Sequence, residues 1–278
     1  MMKVVIISGF LGSGKSTVLQ HLIKDAHVQH LRVAVIMNEF GQYNLDQYLI
    51  DQNVPQKEVI DGCICCEREA DLAAQLHRLY IDVSPDIVFV ECSGVAHPSG
   101  VVLACLTPIL APLVEVVGPI GVIDAVHYAQ SEKTTTDVQQ LVTAQLRACP
   151  LIVLNKTDCV SITEAQRMTS ELIASYPEAD IHITTYGRID WSTVCLAQYD
   201  LDVPLHEHLH DGHHHGRIEH RTCRLEQPIR MEQLAAWLRR LPGHVYRVKG
   251  FVYLPDDQRV YLVQWASGIL DVMPMKLN

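Results

Sequence analysis

The chain has 278 residues, of which 48% are hydrophobic and 19% charged; it is long enough to bury a sizeable core and unlike a disordered sequence. Its net charge of −10 argues against a general binder of nucleic acid or of anionic membranes. The charge is uneven: residues 1–216 carry 12 Lys/Arg against 26 Asp/Glu, whereas residues 217–278 carry 10 against 6, which places a boundary near 216 and leaves a basic tail suited to an acidic partner.

The N-terminal Met-Met-Lys-Val-Val-Ile-Ile-Ser lacks a signal-peptide layout, because its apolar stretch is short and runs straight into a glycine-rich turn. A strand is expected over Val4 to Ile7, followed by Gly9-Phe10-Leu11-Gly12-Ser13-Gly14-Lys15-Ser16-Thr17 and then a helix with Val18, Leu19, Leu22, Ile23 and Ala26 on one face. Strand, loop and helix in that order are the setting of a phosphate-binding P-loop, with Gly9, Gly14, Lys15 and Ser16 matching G-x-x-x-x-G-K-[ST]. Successive N–H groups of such a loop point inward at phosphate oxygens, and the following helix N-terminus favours an anion. Lys15 is expected to reach the β- and γ-phosphates, and the Ser16 hydroxyl to bind Mg²⁺. Gly12, Ser13, Gly14 and Thr17 complete the candidate cradle.

A second strand, Arg32 to Met37, ends in Asn38-Glu39-Phe40-Gly41. Loops at this place in P-loop proteins commonly respond to the γ-phosphate. Glu39 and Asp46 are therefore candidates for contacting Mg²⁺, a water or a transferred metal. Next comes Gly62-Cys63-Ile64-Cys65-Cys66, before a helix expected over Glu67 to Tyr80 with Leu72, Leu76 and Leu79 on one face. Thiols at a helix N-terminus ionise readily, and thiolates are the soft ligands that Zn²⁺ and its neighbours prefer. Cys63, Cys65 and Cys66 can converge on one ion and leave a fourth, exchangeable position. Packing of structural cysteines and a redox pair are the other readings of the same three residues.

Asp86 to Glu91 reads as a buried strand closed by Cys92-Ser93-Gly94. An acid at such a strand end, with glycine shortly after, is Walker-B-like. Glu91 is expected near Mg²⁺ or the attacking water, and the Gly94 N–H near the γ-phosphate. His97 follows as a loop histidine that is either solvated or a metal ligand. Val101 to Ile123 is the longest apolar region, but Pro108, Pro112, Glu115 and Pro119 break it. It reads as buried segments interrupted by loops rather than a membrane span, with a strand over Gly121 to Asp124. With no leader and no span, the expected location is the cytoplasm. The nine cysteines would be reduced there, so their cluster points to metal or redox chemistry before disulfides.

Leu151 to Leu154 forms a further strand leading into Asn155-Lys156-Thr157-Asp158. An Asn-Lys-x-Asp at a strand end downstream of a P-loop is the guanine-reading motif. Asp158 accepts from the ring N–H and exocyclic amine of guanine, and adenine would leave it unpaired. Thr184-Thr185-Tyr186-Gly187, after a strand over Asp180 to Ile183, stands where a base-supporting loop is expected. Leu205 to Gly216 contains six His among twelve residues and reads either as a low-affinity metal collector or as a polar tether. The remainder has the pattern of a strand over His220 to Pro228, a helix ending at Gly243, and strands over Val245 to Leu254 and Arg259 to Trp265, with room for one more.

Taken together, these motifs and Arg247-Val248-Lys249-Gly250-Phe251 near the C-terminus resemble the CobW-type family of P-loop GTPases, relatives of the urease and hydrogenase nickel-insertion GTPases. The resemblance covers almost the whole chain, and Gly-x-Cys-x-Cys-Cys between P-loop and Walker B is its most specific element. Three features depart from the family pattern: His97 replaces an acid, Ala148-Cys149-Pro150 replaces Ala-Asp, and the C-terminal region is short. The resemblance implies a doubly wound, mainly parallel α/β GTPase domain over residues 1–200, a His-rich linker over 201–216, and a small C-terminal α+β domain over 217–278. It further implies slow intrinsic hydrolysis of GTP to GDP with Mg²⁺ as cofactor. It also implies delivery of a transition metal, most often Zn²⁺ and sometimes Co²⁺, to a client metalloprotein. The chain is expected as a monomer or homodimer with no nucleic-acid or membrane partner. The competing expectations are a cobalt chaperone for cobalamin synthesis or for a metal hydratase, and a zinc-sensing GTP-dependent regulator that delivers nothing. A P-loop kinase of a small molecule is disfavoured by Asn155 to Asp158.

Overall fold

Uninterrupted apolar runs make strands buried on both faces, and the first part of the chain is built on them. The structure, a computed structural model, describes residues 1–37, 56–58, 69–130, 135–199, 223–225, 227–242, 245–255, 257–266 and 268–275. The chain divides into two compact units, Met1–Ile218 and Glu219–Asn278.

The first unit holds strands β1 (Met2–Ser8), β2 (Val33–Met37), β3 (Gln56–Glu58), β4 (Ile87–Glu91), β5 (Val114–Asp124), β6 (Leu151–Asn155) and β7 (Asp180–Ile183). They form one seven-stranded sheet in the order β3-β2-β4-β1-β5-β6-β7, with every pair parallel. Helices α1 (Lys15–Val28), α2 (Glu69–Asp82), α3 (Ser99–Cys105), α4 (Ala125–Ala129), α5 (Thr136–Arg147), α6 (Ile162–Ser175) and α7 (Trp191–Leu196) accompany it. The period of two along β1 shares its side chains between two cores. Val5 and Ile7 pack with Val18, Leu19 and Leu22 of α1, whereas Val4 and Ile6 pack with Leu72, Leu76 and Leu79 of α2 and with Val101 of α3. Burying one such aliphatic side chain is worth about 1.5–3 kcal/mol.

The apolar region between Val101 and Ile123 behaves differently from expectation. The strand near its end is not four residues long; β5 runs from Val114 to Asp124 and includes Pro119. Its pairing with β1 slips by one residue, from Val5↔Val117 to Ile7↔Ile120. Gly118 sits in that slip at φ +86°, where a Cβ would lie 2.8 Å from the Ile120 nitrogen. A bulge of this kind is where a sheet tolerates proline, since the missing N–H is not called on by the ladder.

In the second unit, β8 (Arg247–Leu254), β9 (Arg259–Ala266) and β10 (Ile269–Pro274) form an antiparallel sheet in the order β10-β9-β8. Helix α8 (Met231–Leu238) buries Leu234 and Leu238 against Val252, Leu254, Val263 and Trp265. The expected strand over His220 to Pro228 is not found: residues 223–225, 227 and 228 lie in no strand. The helix also stops at Leu238, short of Gly243. Pro242 disfavours helical backbone at Leu241, which instead packs on the core from the turn beyond the helix.

From β1 the chain crosses over β4 to reach β2, and from β4 it crosses β1 to reach β5. The strand order therefore reverses at β1. In open α/β sheets ligands bind outside the carboxyl ends of the strands at such a switch point. The segments leaving β1, β4 and β6 carry the P-loop, the Walker-B-like strand end and Asn155–Asp158.

Candidate nucleotide site

The loop between β1 and α1 is shaped by Gly9, Gly12 and Gly14, with φ of +138°, +78° and +103°. Gly14 is constrained twice over, because a Cβ there would also stand 2.3 Å from Asn155 Nδ2. The Lys15 ammonium turns back into the curl and donates to the carbonyls of Gly9 (2.9 Å) and Phe10 (3.2 Å). Thr17 and Val18 N–H groups donate to Gly14 O, starting α1.

Strand β4 delivers Glu91 to the same place. Its side chain is 2% exposed, and its Oε1 accepts from the Ser16 hydroxyl at 2.9 Å. A hydroxyl and a carboxylate this close are oxygen ligands of the kind that Mg²⁺ takes, so Ser16 and Glu91 fit that ion. Beyond Glu91 the chain makes a tight turn in which Ser93 O accepts the Ala96 N–H at 3.0 Å. Gly94 lies against the P-loop, and a Cβ on it would come within 2.5 Å of Leu11 Cδ2 and 2.8 Å of Leu11 N. Cys92 between them is fully buried, which pushes its thiol up to about 12; the neutral thiol is core rather than ligand.

The other side of the loop is organised by β6. Asn155 is buried and bridges two loops: its Nδ2 donates to Ser13 O (3.0 Å) and its Oδ1 accepts the Gly187 N–H (2.9 Å). Lys156, in the left-handed region at φ +61°, donates to Gly12 O (2.8 Å) and to Asp124 Oδ2 (2.7 Å). Thr157 ties the turn Thr157–Cys159 to the next loop through Thr184 O (3.0 Å from its hydroxyl). Asp158 lies exposed on that turn, beside the loop of residues 184–188. The structure thus draws Gly12, Ser13, Gly14, Lys15, Ser16, Thr17, Glu91, Gly94, Asn155, Lys156 and Asp158 to one edge of the sheet. Glu39, Asp46, Cys63, Cys65, Cys66 and the His-rich tract lie outside the described residues.

The model of the CobW/HypB/UreG nucleotide-binding domain matches residues 3–182. The chain belongs to the CobW/HypB/UreG family. A second model, the cobalamin synthesis protein CobW C-terminal domain, matches residues 218–277. Among this family's members, the zinc chaperone YjiA of Escherichia coli (strain K12) is 31% identical over 194 residues, 67% of this chain and 58% of that protein. The zinc chaperone YeiR of the same organism is 25% identical over 272 residues, 96% of this chain and 79% of that protein. The crystal structure of Zn(II)-bound YjiA GTPase from E. coli superposes with a TM-score of 0.51 at 19% identity, covering 99% of this chain and 89% of that one, a likeness of fold.

Three side chains of this CobW/HypB/UreG domain escape a reading of motifs. Asp124 is 4% exposed; its Oδ1 caps α4 by accepting the Val126 N–H at 2.8 Å, while its Oδ2 holds Lys156. An acid ending an apolar strand, as Glu91 does, is the signal that marks it. On α4, His127 stacks on Phe10 of the P-loop with ring centroids 5.4 Å apart; burial pushes its pKa below the usual value, against the pull of Asp124. Gln145 reaches the Gly94–Ala96 turn from α5, and nothing in the sequence marks it. His97 is neither merely solvated nor grouped with other metal-binding side chains among the described residues. Its Nδ1 accepts the Ser99 N–H (3.2 Å), and its Nε2 lies 3.1 Å from Ala144 O; with Nδ1 accepting, Nε2 carries the proton.

Proposed function

We propose that the chain is a GTP-hydrolysing metallochaperone that carries a transition metal, zinc before cobalt, and yields it to a client protein in step with its nucleotide. The observation that carries the nucleotide half is the brace from β6, in which Asn155 and Lys156 fasten the strand end bearing Asp158 to Ser13 and Gly12 of the phosphate loop. A base-reading acid and a phosphate cradle are thereby held at a fixed separation, which is what selecting one whole nucleotide requires. Lys15 would exchange its two loop carbonyls for the β- and γ-phosphates, and the Gly94 N–H would meet the γ-phosphate. Ser16 and Glu91 would hold Mg²⁺, which would supply charge neutralisation for the phosphates. Glu91 would also orient the water that attacks the γ-phosphorus, giving GDP and phosphate.

The metal half rests on Cys63, Cys65 and Cys66, three thiols within four residues, and on family relatives named zinc chaperones. Zinc is cargo in this reading. Thiolates converging on it in the GTP state and separating after hydrolysis would release it to a client. The alternatives, a cobalt chaperone or a zinc sensor that delivers nothing, differ from this reading in cargo and in transfer to an apo-client.

Asp158→Asn tests the nucleotide half. An amide offers guanine a donor where it needs an acceptor, so GDP affinity should fall by tenfold or more (on the order of 10²) and xanthosine diphosphate should gain. Unchanged GDP affinity in calorimetry would remove Asp158 from the site. Lys15→Ala should abolish binding of both nucleotides; retained GTP affinity would overturn the P-loop assignment.

A further inference from the structure

The turn after Glu91 is held from a direction that the nucleotide machinery does not use. Gln145 of α5 is 1% exposed, and its Nε2 donates to two carbonyls of that turn, Gly94 O at 3.3 Å and Ala96 O at 2.8 Å. One turn of backbone is therefore clasped at both ends by a single amide. Next to it, the His97 ring bridges Ala144 O and the Ser99 N–H, so two successive residues of α5 hold the segment from Gly94 to Ser99. The Gln145 backbone carbonyl is itself engaged, accepting from the Cys149 thiol at 3.1 Å.

The turn that Gln145 clasps orients a donor. Ser93 O accepts the Ala96 N–H, and in a trans peptide the N–H points opposite to the C=O. The Gly94 N–H, which shares that peptide, is thereby aimed out of the turn. Among the described residues it donates to no acceptor, although Gly94 is buried and pressed on Leu11 of the P-loop. An N–H that the protein itself does not engage is available to donate to a ligand group. The Gln145 Oε1 is also buried with no partner. The side chain bears that cost of an unpaired acceptor, and the return is its two donor contacts to the turn.

We propose that Gln145 is a positioning residue that presets the Gly94 N–H for the γ-phosphate and so sets the preference for GTP over GDP. The proposal rests on the nucleotide-site reading above. The γ-phosphate is the part of GTP that GDP lacks, so loss of the clasp acts on one nucleotide and spares the other. The same clasp ties γ-phosphate binding to α5, a helix that contacts no phosphate itself.

The test compares Kd for a non-hydrolysable GTP analogue and for GDP, each with Mg²⁺, in the full-length wild type, Gln145→Ala and Gln145→Met. Methionine keeps the length of the side chain and removes both donors. Both variants should bind GDP within about twofold of wild type and the analogue about tenfold more weakly, the scale of two lost hydrogen bonds. A purely structural role would lower thermal stability and move both affinities together. An analogue-to-GDP ratio equal to that of wild type in a folded variant would overturn the proposal; failure of the wild type to bind either nucleotide would instead overturn the nucleotide-site reading. Hydrogen exchange on the wild type gives an independent reading. Residues 92–99 and 140–147 should gain protection together with the analogue and not with GDP, and protection confined to 92–99 would contradict the coupling.

Discussion

Gly14 illustrates how much a single position contributes to the site. Its φ of +103° and the 2.3 Å approach of Asn155 Nδ2 leave no room for a methyl group. Gly14→Ala must either push Asn155 off Ser13 O and Gly187 N or unwind the first turn of α1. In both cases the P-loop and the Asn155–Asp158 turn lose their common brace. The expected result is a fall of more than about tenfold in affinity for GDP, with a stability loss of about 1–3 kcal/mol in urea denaturation. An unchanged Kd would mean that the brace does not govern binding. Lys156 and Asp124 act on the same footing. Their ion pair, 2.7 Å long and largely buried, joins the ends of β5 and β6, while Lys156 also holds Gly12 O of the P-loop, and removing either partner strands a charge in low dielectric.

At the scale of elements, α4 ties folding stability to pH through His127. His127 is held half-buried on Phe10, with its pKa below the ordinary value of 6.5 because burial disfavours the charged ring. The folded state therefore resists protonation that the unfolded chain accepts. The contribution is fully present above about pH 6.5 and is lost progressively as the pH falls below it, toward the lowered folded pKa. Urea midpoints of the wild type should drop between pH 7 and pH 5, and His127→Gln should flatten that part of the curve. Parallel curves for the two proteins would show that the ring is not buried neutral.

The same scale explains what the sequence made legible. Unbroken apolar runs, the P-loop and the Asn155–Asp158 tetrapeptide announce their own structure, because each is local and chemically specific. What escaped detection depends on contacts between distant elements. The full length of β5 follows from a bulge at Gly118 that lets Pro119 remain in the ladder. Asp124, His127 and Gln145 serve the site through partners 32, 117 and 51 residues away in the chain. The strand expected over His220 to Pro228 shows the opposite error: its described residues, 223–225, 227 and 228, lie in no strand, since a short stretch ending in Pro228 does not by itself find a partner strand.

For the molecule as a whole, we propose that nucleotide state governs metal affinity through Cys63, Cys65 and Cys66. The buried cysteines do not compete for that role: burial pushes the thiols of Cys92 and Cys105 up to about 12 and raises that of Cys149, so they stay protonated. Cys65→Ala should weaken metal binding and leave metal-free GTP binding intact; loss of both would mark the cluster as structural. The most direct measurement is an anaerobic Co²⁺ and Zn²⁺ titration of the reduced protein, carried out once with Mg²⁺ and a non-hydrolysable GTP analogue and once with Mg²⁺ and GDP. Thiolate-to-Co²⁺ charge-transfer absorption with much tighter binding in the GTP-like state is the predicted result. Equal affinity in the two states would contradict the account, because a metal that does not distinguish two states cannot be released by passing between them.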